Sequence, residues 1–87
     1  MSNMKSEGGN DMSETARFEV YTADNHTGAP TGDVTVLRDK AAALALAKCW
    51  EQESETTSDE RGTFTRVEDE DGYTYDFART ETGVIEL

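Results

Sequence analysis

The stretch RDKAAALALAKCWEQESE, residues 38–55, is the strongest structural signal in this chain of 87 residues. Alanine and leucine are the best helix formers, and their spacing predicts one amphipathic helix over the whole stretch. Asp39 is well placed to cap its beginning. The small alanines predict a close approach to a sheet, with Trp50 as the largest apolar anchor and with Leu44 and Ala47 on one shoulder. The predicted buried stripe consists of Ala42, Ala43, Leu46, Cys49 and Trp50.

Segments on both sides of this helix alternate apolar and polar residues, as strands do. Residues 16–22 are predicted to be a half-buried strand, and residues 34–37 are either a brief strand or the entry to the helix. After the helix, the pattern predicts a polar loop over residues 54–62 and an Asp-Gly turn at residues 69–72. The remaining predicted strands are residues 63–68, 73–79 and 84–87. One helix against an antiparallel sheet makes a two-layer α+β domain in the order β-α-β-β-β.

The domain is expected to occupy residues 16–87. Residues 1–15 have no apolar periodicity and are predicted to be a disordered tail. Since no long apolar run occurs and no export signal is visible, a cytoplasmic location is expected. The single cysteine excludes an intrachain disulfide. The last predicted strand leaves a short sheet edge, so the chain is expected to be a monomer or a weak homodimer.

Acidic residues dominate the composition. The chain has 19 acidic residues against 8 Lys and Arg, a net charge of −11, and a pI near 4.2. Much of this charge lies in residues 51–71, an acidic belt in which nine carboxylates accompany only Arg61 and Arg66. Such a surface repels phosphate groups, so direct binding to nucleic acid or to anionic membranes is not expected. It favours basic partners, cations or plain solubility.

Motifs for catalysis or cofactor binding do not accompany the belt. Asp69 and Asp71 alternate as in an EF-hand loop, but Gly72 stands at the wrong position for that motif. The sequence has no phosphate-binding glycine loop, nucleophile elbow or zinc-ligand spacing. A catalytic Cys49 would need His26 beside it, and the favoured interpretation of Cys49 is a buried, inert thiol. We therefore expect no enzyme activity, no cofactor and no metal.

The acidic belt divides into two clusters separated by the predicted strand 63–68. The helix-end cluster is Glu51, Glu53, Glu55, Asp59 and Glu60, and the hairpin-tip cluster is Glu68, Asp69, Glu70 and Asp71. If the two share one face, they form a negative stripe that resembles a phosphate backbone and competes for a groove of Lys and Arg. Tyr73, Tyr75 and Phe77 share one side of their strand and are expected to cover the helix, while an exposed tyrosine would anchor an interface. The predicted partner-binding residues are Glu55, Asp59, Glu60, Glu68, Asp69, Glu70, Asp71, Tyr73 and Asp76.

A resemblance to a known class follows from these features. In its small size, its acidity and its order of strand, alanine-rich helix and hairpin closed at EDEDG (residues 68–72), the chain resembles phage-encoded anti-CRISPR proteins. The resemblance covers residues 16–87 in architecture and composition and carries over no functional residue. It implies a non-enzymatic inhibitor, in the cytoplasm of a bacterial host cell, that occupies a basic nucleic-acid-binding surface of a CRISPR effector complex and blocks DNA binding. The alternative is a small acidic interaction or accessory domain whose charge serves solubility.

Overall fold

The computed structural model describes residues 16–87, so the tail predicted for residues 1–15 lies outside the described residues. The elements in chain order are strand β1 (Phe18–Asp24), strand β2 (Thr35–Leu37), helix α1 (Lys40–Glu53), helix α2 (Ser58–Arg61), and strands β3 (Thr63–Asp69), β4 (Thr74–Thr80) and β5 (Gly83–Glu86). All strand pairs are antiparallel, in the order β2-β1-β3-β4-β5. The predicted α+β class is confirmed, and residues 34–37 supply the short edge strand β2.

Helix α1 packs on one side of the sheet, here called the helix face, and the other side is the open face. Val20, Val67 and Phe77 come from three adjacent strands and are almost completely buried against the helix. Burying side chains of this size stabilises the fold by about 1.5–3 kcal/mol each. Half-buried apolar residues surround this centre, namely Phe18, Leu37, Leu44, Leu46, Trp50, Tyr75 and Val84. The core is therefore one layer of side chains between α1 and the central strands.

The orientation of α1 differs from the prediction. Its fully buried positions are Ala43, Ala47 and Glu51, spaced by four residues, while Ala42 is exposed and Cys49 is only half-buried. At 100° per residue the stripe is rotated by roughly a quarter turn from the predicted one. The reason is packing: two of the helix's alanines, Ala43 and Ala47, meet the middle of the sheet, and the leucines and Trp50 fill the space on either side. Asp39 caps the helix as predicted, because its Oδ2 accepts the Ala42 N–H at 2.9 Å.

The segment predicted as a polar loop at residues 54–62 contains the short helix α2. Thr57 and Glu60 form a capping box, in which each side chain accepts the backbone N–H of the other residue. Gly62 ends the helix in the left-handed region, with φ of 79°. The Thr-x-x-Glu spacing is a known helix-start signal and was readable in the sequence.

The predicted Asp-Gly turn joins β3 to β4. The connecting loop is residues 70–73: the Asp69 N–H donates to the Tyr73 carbonyl at 2.9 Å, and Gly72 adopts a φ of 91°, a conformation that favours glycine. Asp69 Oδ1 accepts the N–H groups of Asp71 and Tyr73, both at 2.9 Å, so this carboxylate holds the loop together. Tyr75 and Phe77 cover the helix as expected. Tyr73 does not, because it belongs to the loop and its side chain is 68% exposed.

Ala47→Leu is expected to lower the free energy of unfolding by about 1–3 kcal/mol, because the larger side chain must enter packed space between α1 and the sheet. The matched control is Ala45→Leu, the same change on the exposed side of the same helix, with an expected effect below about 0.5 kcal/mol. Urea unfolding measures both. Equal losses in the two variants would contradict the close approach at Ala47.

Candidate functional site

Glu51, predicted as part of the acidic surface, is a buried structural residue. Its side chain is 1% exposed, and both carboxylate oxygens accept from Arg61 Nη2, at 2.9 and 2.8 Å. Oε1 also accepts the Ser58 hydroxyl at 3.0 Å and the Arg79 N–H at 2.9 Å, and Oε2 accepts the Thr65 hydroxyl at 2.6 Å. A buried charge is tolerable only when it is paired and hydrogen-bonded in this way. Glu51 is therefore not available to a partner.

The second arginine of this region, Arg79, closes the end of α1. Its guanidinium donates to the backbone carbonyls of Gln52, at 3.0 Å, and of Ser54. Carbonyl groups in the last turn of a helix have no partner within the helix, and cations there are favourable. Arg61 and Arg79 are thus both committed to the structure around Glu51. Of the helix-end cluster, Glu53, Glu55, Asp59 and Glu60 remain exposed.

The two acidic clusters lie at opposite ends of the sheet. The helix-end cluster precedes the start of β3 at Thr63, and the hairpin-tip cluster closes its other end at Asp69. A strand of seven residues spans roughly 20 Å between these ends. The clusters therefore do not join into one continuous stripe, and each must be judged by itself.

The hairpin-tip cluster gains a fifth carboxylate that the sequence did not point to. Strand β1 places Glu19 directly opposite Glu68 of β3. Like charges in directly opposed positions destabilise a sheet. Arg17 contacts this cluster: its guanidinium pairs with Glu19 at 3.0 Å, and its backbone N–H donates to Glu70 at 3.1 Å. The outward position of Glu19 was readable from the alternation of its strand, but its register against β3 was not.

Two of the predicted partner-binding residues have internal partners on the open face. Glu68 accepts the Tyr21 hydroxyl at 2.9 Å, and Asp76 pairs with Arg66 at 2.8 and 3.2 Å. Burial raises the pKa of Tyr21 above its ordinary value, and the hydrogen bond to Glu68 adds to the rise. The hydrogen bond to Asp76 likewise raises the pKa of Arg66. Together with Asp69 in the hairpin loop, these carboxylates contribute to the fold. The predicted residues left exposed are Glu55, Asp59, Glu60, Glu70, Asp71 and Tyr73.

Cys49 is half-buried rather than buried as predicted, and its neighbour is an acid. Its thiol lies 3.3 Å from Glu53 Oε2, and this hydrogen bond raises the pKa of Cys49. A raised pKa leaves a smaller fraction of the thiol as thiolate, which is the reactive form. His26 lies in the loop after β1, with its backbone N–H bound to Asp24. Among residues 16–87, no group of three or more His, Cys, Asp or Glu side chains is arranged to hold a metal ion.

No protein-family model matches this chain, and neither a curated protein nor a solved structure shows significant similarity to it. Within the part of the chain that the structure describes, no helix is long and apolar enough to cross a membrane.

Glu51→Gln is expected to lower the free energy of unfolding by about 3–5 kcal/mol, because it removes one partner of a buried ion pair and leaves Arg61 unpaired. Glu55→Gln makes the same charge change on an exposed residue nearby and is expected to cost less than about 0.5 kcal/mol. Chemical unfolding of the two variants at neutral pH compares them. A loss below about 1 kcal/mol for Glu51→Gln would contradict the structural role of this carboxylate.

Proposed function

We propose that the protein is a non-enzymatic inhibitor that binds a basic, nucleic-acid-binding surface of another protein through the hairpin tip. The observation that carries the proposal is the charge at that tip: Glu19 faces Glu68, and Asp69, Glu70 and Asp71 follow within one loop. Arg17 is the one cation paired with this group in residues 16–87. A basic partner relieves the repulsion between these carboxylates, so binding gains energy that the free protein lacks.

The tip also offers a contact of a second kind. Tyr73 follows Gly72 in the same loop and is 68% exposed. Tyrosine combines apolar area with a hydroxyl group and is enriched among residues that dominate binding energy. Glu70, Asp71 and Tyr73 are therefore the residues we assign to direct contact, with Glu19 and Glu68 supplying the surrounding negative potential. Long-range electrostatic attraction between these carboxylates and a basic surface speeds association and disfavours acidic partners.

The partner class follows from chemistry and from the resemblance stated above. A groove built for DNA carries Lys and Arg side chains at the spacing of phosphates, and a rigid hairpin presenting carboxylates competes for them. The resemblance to anti-CRISPR proteins makes a CRISPR effector complex the first partner to test. Occupation of its DNA-binding surface would block target DNA, and this needs no catalytic group on the inhibitor.

One observation favours the alternative, an interaction or accessory domain whose charge serves solubility. Glu68, Asp69 and Asp76 all have partners within the fold, so their presence is explained without any binding role. The exposed acids then act as ordinary solvated charges. The two functions differ in whether the position of the charge matters, and a pair of charge-matched variants separates them.

Glu70→Lys combined with Asp71→Lys is expected to weaken inhibition of DNA binding by about tenfold or more, because each change replaces attraction to the basic surface by repulsion. Both side chains are exposed, whereas reversal of Asp69 would disrupt the loop. The assay is the mobility shift of labelled target DNA by a purified CRISPR effector complex, titrated with the intact protein and its variants.

The control carries the same change in net charge elsewhere. Asp33→Lys combined with Glu86→Lys alters two exposed acids outside both clusters and is expected to change inhibition by less than about threefold. Equal weakening by both pairs would show that only net charge matters and would contradict binding through the tip. If the effector complex still bound all of the labelled DNA at a saturating concentration of the intact protein, inhibition of that effector would be contradicted.

A further inference from the structure

A groove crosses the open face at the end of the sheet remote from the hairpin tip. Its walls come from α2, from the loop after β1, and from the β4–β5 hairpin. Phe64 and Ala78 lie at its base, while Ile85 and Leu87 form the side nearest the sheet edge. The groove is roughly 20 Å from the tip, because β3 runs between the two regions.

The floor of the groove belongs to an apolar row that crosses the sheet. Ala23 pairs with Phe64, and Ala78 pairs with Ile85. One step along the β3–β4 register from Thr65 and Phe77 places Phe64 beside Ala78. The row is buried at its centre, where Phe64 is 7% exposed, but Ile85 is 45% exposed and Leu87 is 68% exposed. The row is therefore buried at its centre and exposes apolar side chains to solvent at one side.

The rim of the groove is negative. Asp59 and Glu60 on α2, and Glu81 in the β4–β5 turn, are exposed and line it. Arg79 also lines the groove, but its guanidinium is bound to the carbonyl oxygens at the end of α1. Among the described residues no ion pair involves Asp59, Glu60 or Glu81. The groove therefore combines exposed apolar side chains with uncompensated negative charge.

We propose that this groove docks an extended segment of a partner protein in which an apolar side chain lies between Lys or Arg residues. The apolar side chain packs on Ile85 and Leu87, and the cations lie against Asp59 and Glu81. Charge complementarity selects this occupant: a second copy of the chain would bring its own net charge of −11 to an acidic rim. The surface is separate from the hairpin tip, so the inference holds whether or not the tip binds a partner.

The test uses the intact, isotope-labelled protein and three synthetic ten-residue peptides. The first alternates leucine with lysine, the second replaces every lysine by glutamate, and the third replaces every leucine by serine. Titration followed by backbone amide chemical shifts is expected to perturb Ala78, Ile85 and Asp59 with the first peptide. The other two peptides are expected to bind about tenfold or more weakly, because each lacks one half of the complementarity.

Variants locate the binding site. Ile85→Ser is expected to lower the affinity for the first peptide by about fivefold or more. Asp59→Asn combined with Glu81→Gln is expected to lower it by a similar factor. Val36→Ser is the control, because Val36 is 39% exposed on the opposite edge of the same open face. Thermal unfolding checks that each variant is folded.

Several results would overturn the proposal. If the leucine-free peptide bound as tightly as the first peptide, the interaction would depend on charge alone. Chemical-shift changes confined to the hairpin tip would show that the peptide binds there and not in the groove. Absence of any shift at millimolar peptide would also exclude it. A dimer in sedimentation analysis of the free protein that Ile85→Ser abolishes would show that a second copy occupies the groove.

Discussion

The buried carboxylate of Glu51 is the interaction on which the arrangement of this domain depends. It joins the end of α1 to α2 through Ser58 and Arg61, to β3 through Thr65, and to β4 through the Arg79 backbone. A charge buried to this degree stabilises the fold only while every one of these donors stays in place. The last turn of α1, the short helix α2 and two strands are thereby held in one relative position, although the chain is too small for a large core.

This use of charge divides the acidity of the protein into two kinds. Four carboxylates accept hydrogen bonds within the fold, namely those of Glu51, Glu68, Asp69 and Asp76. Removing any one of them would leave its donors without that acceptor. The exposed acids gather at two ends of the sheet instead of forming one stripe. At the hairpin tip Glu70 and Asp71 stand in the same loop as an exposed tyrosine, and near α2 the exposed acids border an apolar groove. The net charge of −11 therefore does not indicate where the protein could bind, because the role of each carboxylate depends on its position in the fold.

The sequence predicted the class of fold because alternation and helical periodicity are local signals. The helix, its Asp39 cap, the hairpin at Gly72 and the inward side of Tyr75 and Phe77 all follow from neighbouring residues. The burial of Glu51 does not, since its donors are seven to 28 residues away along the chain. The opposition of Glu19 and Glu68 depends likewise on strand register, and the rotation of α1 depends on how its alanines meet the sheet. Local patterns predict elements, whereas the candidate sites arise from contacts between them.

If the negative hairpin tip binds a basic surface, as proposed, the affinity must fall as the salt concentration rises. The dissociation constant for a purified partner, such as a CRISPR effector complex, is measured by calorimetry at NaCl concentrations from about 50 to about 200 mM. Salt screens exposed charges over this range, so binding through the tip is expected to lose about tenfold or more in affinity. An affinity that changes by less than about twofold would contradict it, because an apolar interface responds little to salt.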